Sequence, residues 1–160
     1  MNKDELRSFS LDVLEKAKKK LQEDGDLMPA LFFHDREKRM HIMGFTKFDE
    51  DIKSELNGKI KQYAKAIGAD AVVFITDSYL RLPDPETGLP GPRRGEMITL
   101  SAVTPEHFYL VSISYKRAKA KHLGIGKKYV FVFEDPVEYD CCNFNRFLDG
   151  IWDETKQQIH

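Results

Sequence analysis

The alternation of apolar and polar side chains divides the chain into a small set of elements. Over residues 4–23, Leu6, Phe9, Val13, Leu14, Ala17 and Leu21 recur at steps of three and four, which predicts an amphipathic helix. Gly25 supplies its stop signal. Lys16, Lys18, Lys19 and Lys20 then read as the solvated end of that helix. Two apolar runs follow, Ala30–Phe33 and Met40–Phe45, separated by the polar stretch Asp35–Arg39; this spacing predicts a hairpin. A second helical stripe, Ile52, Leu56, Ile60, Tyr63, Ala64 and Ile67, predicts a helix from Asp49 to Gly68. Asn57-Gly58 weakens its middle, because an interior glycine costs about 1 kcal/mol relative to alanine.

Ala71–Thr76 is continuous, apolar and β-branched, the pattern of a strand buried on both faces. Residues Leu82–Gly95 hold Pro83, Pro85, Pro90 and Pro92 with Gly88, Gly91 and Gly95. Prolines lack a main-chain donor, so a long surface loop is expected over 82–95. Strands are predicted at Glu96–Val103, His107–Tyr115 and Lys128–Glu134, the first two joined by the turn Thr104-Pro105-Glu106. Phe144, Phe147, Leu148, Ile151, Trp152 and Thr155 predict a last helix over 143–158. The order is α-ββ-α-ββββ-α: one α+β domain over residues 1–160, with a mainly antiparallel sheet and helices on one face. This order resembles the profilin-like and roadblock-like domains, a likeness that implies an interaction module.

Composition narrows the function classes. The 160 residues carry 25 Lys and Arg against 26 Asp and Glu, a net charge of −1, which argues against a dedicated polyanion binder. No apolar run approaches the roughly 20 residues of a membrane span, and Met1–Glu5 lacks the apolar core of a secretion signal. Cys141 and Cys142 are adjacent and unsuited to a disulfide framework, which points to a reducing, cytoplasmic setting. Read as thiols near a helix start, they are small hydrophobes before they are redox groups. No HExxH, paired CxxC, GxSxG or GxGxxG pattern occurs, so no cofactor is expected. Gly124–Lys128 leads into a strand rather than a helix, which removes it as a phosphate loop.

Four groups of residues bear on chemistry. Asp77 falls past the buried strand and Glu96 opens the next antiparallel one, so the two carboxylates are expected as neighbours, able to bind a metal or divide acid and base roles. Tyr79, Arg81, Arg93 and Arg94 share that rim and would hold an anionic group by forked hydrogen bonds. A structural ion-pair network is the competing reading. Second, a hairpin with Asp35 opposite Met40 would set His34 opposite His41, close enough to share a metal if a third ligand joined them. A slip of one residue would separate them onto opposite faces.

Third, Lys116, Arg117, Lys119, Lys121, Lys127 and Lys128 form a basic stretch, followed over residues 134–154 by a mainly acidic one. Complementarity within the molecule or between subunits ranks ahead of nucleic acid here, because interleaved aromatics are absent. Fourth, the turn at 104–107 sets Thr99 opposite Ser112, with Met97 and Ser101 beside Ser114 and Leu110. That small, hydroxyl-lined face is expected to meet water or a second copy, while Ile98, Leu100, Ala102, Val111 and Ile113 face the helices.

The run Gly68-Ala69-Asp70, Phe74–Tyr79 and Pro92-Arg93-Arg94-Gly95-Glu96 resembles a family of conserved hypothetical microbial proteins. In that family an apolar strand ends in an acidic residue and an aromatic, followed by a Pro-rich loop and an Arg-Glu pair. The resemblance spans about 30 residues and implies no activity for any of them. The expectation is therefore a non-enzymatic cytoplasmic module that binds a protein partner or itself. The alternative is a metal-dependent hydrolase or phosphoester-processing enzyme built on Asp77 and Glu96.

Overall fold

A computed structural model describes residues 1–45, 50–119, 129–139, 148 and 150–152. The first helix, α1, spans Lys3–Asp24. Asn2 caps it: its side chain accepts from the Glu5 N–H while the Glu5 carboxylate accepts from the Asn2 N–H, both at 2.8 Å. Gly25 ends it with φ +74°, its N–H reaching the Leu21 carbonyl at 2.8 Å. The face that the periodicity selects, Leu6, Val13, Leu14, Ala17 and Leu21, is buried. Lysines of the polar side pair locally, Lys18 with Glu15 and Lys20 with Asp24. Strands β1 (Ala30–Asp35) and β2 (Met40–Gly44) follow, then helix α2 (Glu50–Ile67), then β3 (Ala69–Pro83), β4 (Pro90–Val103), β5 (Phe108–Lys119), β6 (Tyr129–Phe133) and β7 (Val137–Tyr139).

The seven strands form one antiparallel sheet in the order β2-β1-β3-β4-β5-β6, with β7 also on β5. Strand β5 thus serves two short neighbours in succession: β7 against residues 110–112 and β6 against 115–119. The fold is α+β, as its element order predicts. The helices, however, do not share a face. Ala71, Val73 and Ile75 of β3 pack with α1, Ile98, Leu100, Val111 and Ile113. Val72 and Phe74 pack with Ile60 and Ala64 of α2, Leu31 and Phe33. Alternate residues of β3 therefore enter two cores, because successive strand side chains point to opposite sides.

The expected loop over 82–95 is mostly a hairpin. β3 runs on to Pro83 and β4 starts at Pro90, leaving residues 84–89 as the turn. The prolines fit because this ribbon projects past the sheet. β1 pairs with β3 only as far as Ile75, and β5 pairs with β4 only from Glu96. Beyond those points each strand has one partner among the described residues, and a missing N–H can face outward. The ladder also steps irregularly around Arg81.

The register of β4 and β5 is the expected one, with Thr99 opposite Ser112, Met97 opposite Ser114 and Ser101 opposite Leu110. That face is not open, though: Ser101, Leu110 and Ser112 are buried on the α2 side. Where it is described, the stretch predicted as the last helix forms a turn rather than an α-helix. Gly150 has φ +72° within a turn over 150–152, while Leu148 and Ile151 are buried and Trp152 packs beside them in the α2 core. The rest of the predicted helix, and Cys141 and Cys142 before it, lie outside the described residues. Among the described residues no helix is long and apolar enough to cross a membrane.

Candidate functional site

Asp77 and Glu96 come together as expected. They sit on the α1 face of the sheet, where the β3–β4 ribbon leaves it, on adjacent pairs: Asp77 opposite Ile98 and Tyr79 opposite Glu96. Each carboxylate already has its own partner. The Tyr115 hydroxyl lies 2.8 Å from both oxygens of Asp77. Arg117 Nε donates to both oxygens of Glu96 at 3.2 and 2.9 Å, and its Nη1 donates to the Gly25 carbonyl at 2.9 Å. One guanidinium thus ties the edge of the sheet to the end of α1.

Burial sets the electrostatics. It pushes the half-buried Asp77 carboxyl above its ordinary value; Tyr115 pulls it down, Glu96 pushes it further up and Arg117 opposes that. Tyr115, 2% exposed, is raised well above the usual phenol range by burial and by the carboxylate it donates to. Arg117 stays fully charged, held upward by its hydrogen bond to Glu96. The arrangement can store a proton near Asp77 and fix the base of the ribbon.

The remaining rim residues divide. Tyr79 is exposed. Arg81 lies opposite Arg93 in the backbone ladder, and the side chains of Arg81, Arg93 and Arg94 lie outside the described residues. Among the described side chains, the arginine that meets Glu96 is Arg117, which belongs to the basic stretch of the sequence. Of that stretch, Lys116 is exposed. Lys119 is described in backbone only, and Lys121, Lys127 and Lys128 lie outside the described residues.

The histidine pair is corrected. His34 lies opposite Met40 and Phe33 opposite His41, one step from the expected register. The cause is the turn. Lys38 takes a left-handed φ of +63°, and Lys38 N–H donates to the Asp35 carbonyl at 3.0 Å, which closes a three-residue loop. The two rings therefore point to opposite faces. His34 stacks edge-on with Phe9 of α1 and bonds Asp70 through Nδ1 at 2.6 Å. His41 meets Tyr63 of α2 and bonds Asp35 through Nε2 at 2.9 Å. No group of three or more His, Cys, Asp or Glu that could hold a metal occurs among the described residues.

Asp35 is the polar centre that sequence reading missed. At 1% exposure its Oδ1 accepts from the N–H groups of Glu37 and Arg39, and its Oδ2 meets Arg39 Nε and His41, each at 2.9 Å. Its signal was an aspartate at the entrance of a short charged loop, the position of an Asx turn. On the far side, Glu138 of β7 accepts from both Arg7 of α1 and Tyr109 of β5. A shallow depression of about 510 Å³ lies between Lys16, Lys18 and Lys19 of α1 and Phe133, where Lys18 Nζ sits 5.0 Å over the ring. No family model matches the chain, and no curated protein or solved structure matches it either.

Proposed function

We propose that the chain is a non-enzymatic interaction module of the cytoplasm whose partner is a protein, a second copy of itself included. The observation that carries this reading is the commitment of both candidate carboxylates. Asp77 is occupied by Tyr115 and Glu96 by Arg117, the pattern of a pinning network rather than of groups aimed at a substrate. The adjacent cysteines suit a reducing compartment. Nucleic acid ranks behind protein, because Arg117 of the basic stretch is spent inside the molecule.

The second reading is a metal-dependent hydrolase or phosphoester-processing enzyme. It draws on one observation, the upward displacement of a half-buried aspartate beside a second carboxylate, which also suits a general acid. Asp77→Ala separates the two. A panel of chromogenic phosphate mono- and diesters, with magnesium, manganese or zinc, is expected to give the same background rate for wild type and variant. The variant should differ mainly by a lower melting temperature. Turnover that requires both Asp77 and Glu96 would establish the enzyme and remove the module reading.

A further inference from the structure

Strand β6 forms one edge of the sheet. Among the described residues its only strand partner is β5. Its five residues, Tyr129-Val130-Phe131-Val132-Phe133, include no charge, proline or glycine. Isolated proteins usually protect such an edge with lysine, proline or a bulge, because unpaired N–H and C=O groups attract another strand. Val130 and Val132, 44% and 55% exposed, stand on one side of it. Phe131 on the other side is buried against Tyr115.

The residues flanking β6 identify the occupant. Lys127-Lys128 precede it and Glu134-Asp135 follow it, and Glu134 and Asp135 are exposed. We propose that β6 pairs antiparallel with β6 of a second copy, about a two-fold axis at Phe131, joining two sheets edge to edge. The proposal rests on the interaction-module reading and names its partner. A two-fold axis perpendicular to the sheet preserves its faces, so the axis must pass a residue that meets its own copy.

At Phe131 this sets Val130 opposite the second copy's Val132, and Tyr129 opposite its Phe133. In sequence, Lys127-Lys128 stand before β6 and Glu134-Asp135 after it, so antiparallel pairing brings the basic end of each copy towards the acidic end of the other. The apolar pairings of β6 are thus flanked by opposite charges at both ends. An axis one residue later would set Val130 against Glu134. The opposite edge, β2, lacks this symmetry: centred on Ile42, Arg39 would meet Phe45. The charge reversal between the basic and acidic stretches thereby acquires a use, as the two ends of one self-complementary strand.

Charge exchange tests it in the full-length chain. Wild type is expected to show a dimer mass by light scattering at tens of micromolar. Glu134→Lys and Lys128→Glu each bring like charges together at both ends of the paired strands. Each alone should weaken dimerisation by roughly tenfold or more, with unchanged circular dichroism. Mixed in equal amounts, the two variants should restore the dimer, since each then meets its opposite. Monomeric wild type overturns the proposal. So does a dimer that neither variant weakens, a mixture that is not rescued, or open-ended aggregates in place of a dimer. None of these outcomes depends on phosphoester turnover, so failure here leaves the module reading to its own assay.

Discussion

The hydroxyl of Tyr115 lies 2.8 Å from each carboxylate oxygen of Asp77, so a single donated proton serves both. Tyr115 is fully buried and Asp77 half-buried. This bond therefore closes the polar end of the α1 core rather than decorating the surface.

Asp77 makes stability depend on pH in a definite direction. Burial raises its folded value above the ordinary 3.8, so the folded chain holds this proton more tightly than the unfolded one. The stability it contributes is full below 3.8 and is lost as pH rises through the raised value. Asp77→Asn removes that loss while keeping an acceptor for Tyr115. It should match wild type at pH 7 or exceed it by up to about 1 kcal/mol. Tyr115→Phe leaves a buried carboxylate without its donor and should cost about 1–3 kcal/mol at neutral pH. It should cost less at acid pH, as the carboxyl takes up its proton. Equal losses at both pH values in urea titrations would contradict this account.

Asp35 acts with the opposite sign. The hydrogen bond from His41 holds its carboxyl well below the usual range; burial opposes this, and Arg39 adds to it through backbone and guanidinium. Its stabilisation is therefore present above 3.8 and is lost as pH falls below that value. Asp35→Asn should lower the thermal midpoint at pH 7 by roughly 5 °C. The gap to wild type should narrow on acidification. A gap that stays constant from neutral to acid pH would show that shape, not charge, makes Asp35 matter.

Two glycines give a matched pair of opposite predictions. Gly25 sits at φ +74°, so Gly25→Ala should destabilise by about 1 kcal/mol although nothing crowds the added carbon. Gly58 lies inside α2 with open space around it. Gly58→Ala should therefore stabilise by about 0.5–1 kcal/mol. Thermal unfolding of the two variants reads both signs.

The parts legible in the sequence are those where local chemistry and tertiary pairing agree. The α1 stripe and its Gly25 stop appear in the structure as the pattern predicts. So does the pairing of Thr99 with Ser112, because one turn at 104–107 fixes every later pair. Carried three residues further, that same register sets Glu96 opposite Tyr115 and brings Arg117 within reach, so the true partners of the carboxylates were within the pattern. The hairpin at His34 was not, since its register turns on the left-handed conformation of Lys38, a residue type with no special preference for it. The proline-rich ribbon was misread for a different reason. Proline forbids a ladder bond only on the paired side, and pairing on one side alone is a tertiary fact. The second helix face escaped because β3 is apolar at every position from Ala71 to Ile75 and does not reveal which helix each residue meets.

That uniformity has a consequence for how the chain finds its fold. In most half-buried strands a slip of one residue is punished by throwing apolar groups into water. A slipped β3 would still bury valine, phenylalanine and isoleucine, on whichever side they fell, and lose only fit. The discrimination must come from its ends. Slipped by one, Asp77 would turn from Tyr115 towards the opposite core, and Ala69 would lose its place beside Asp35. The polar groups at the rim of the sheet thus act as end stops, rejecting the misaligned topologies that the greasy middle would accept.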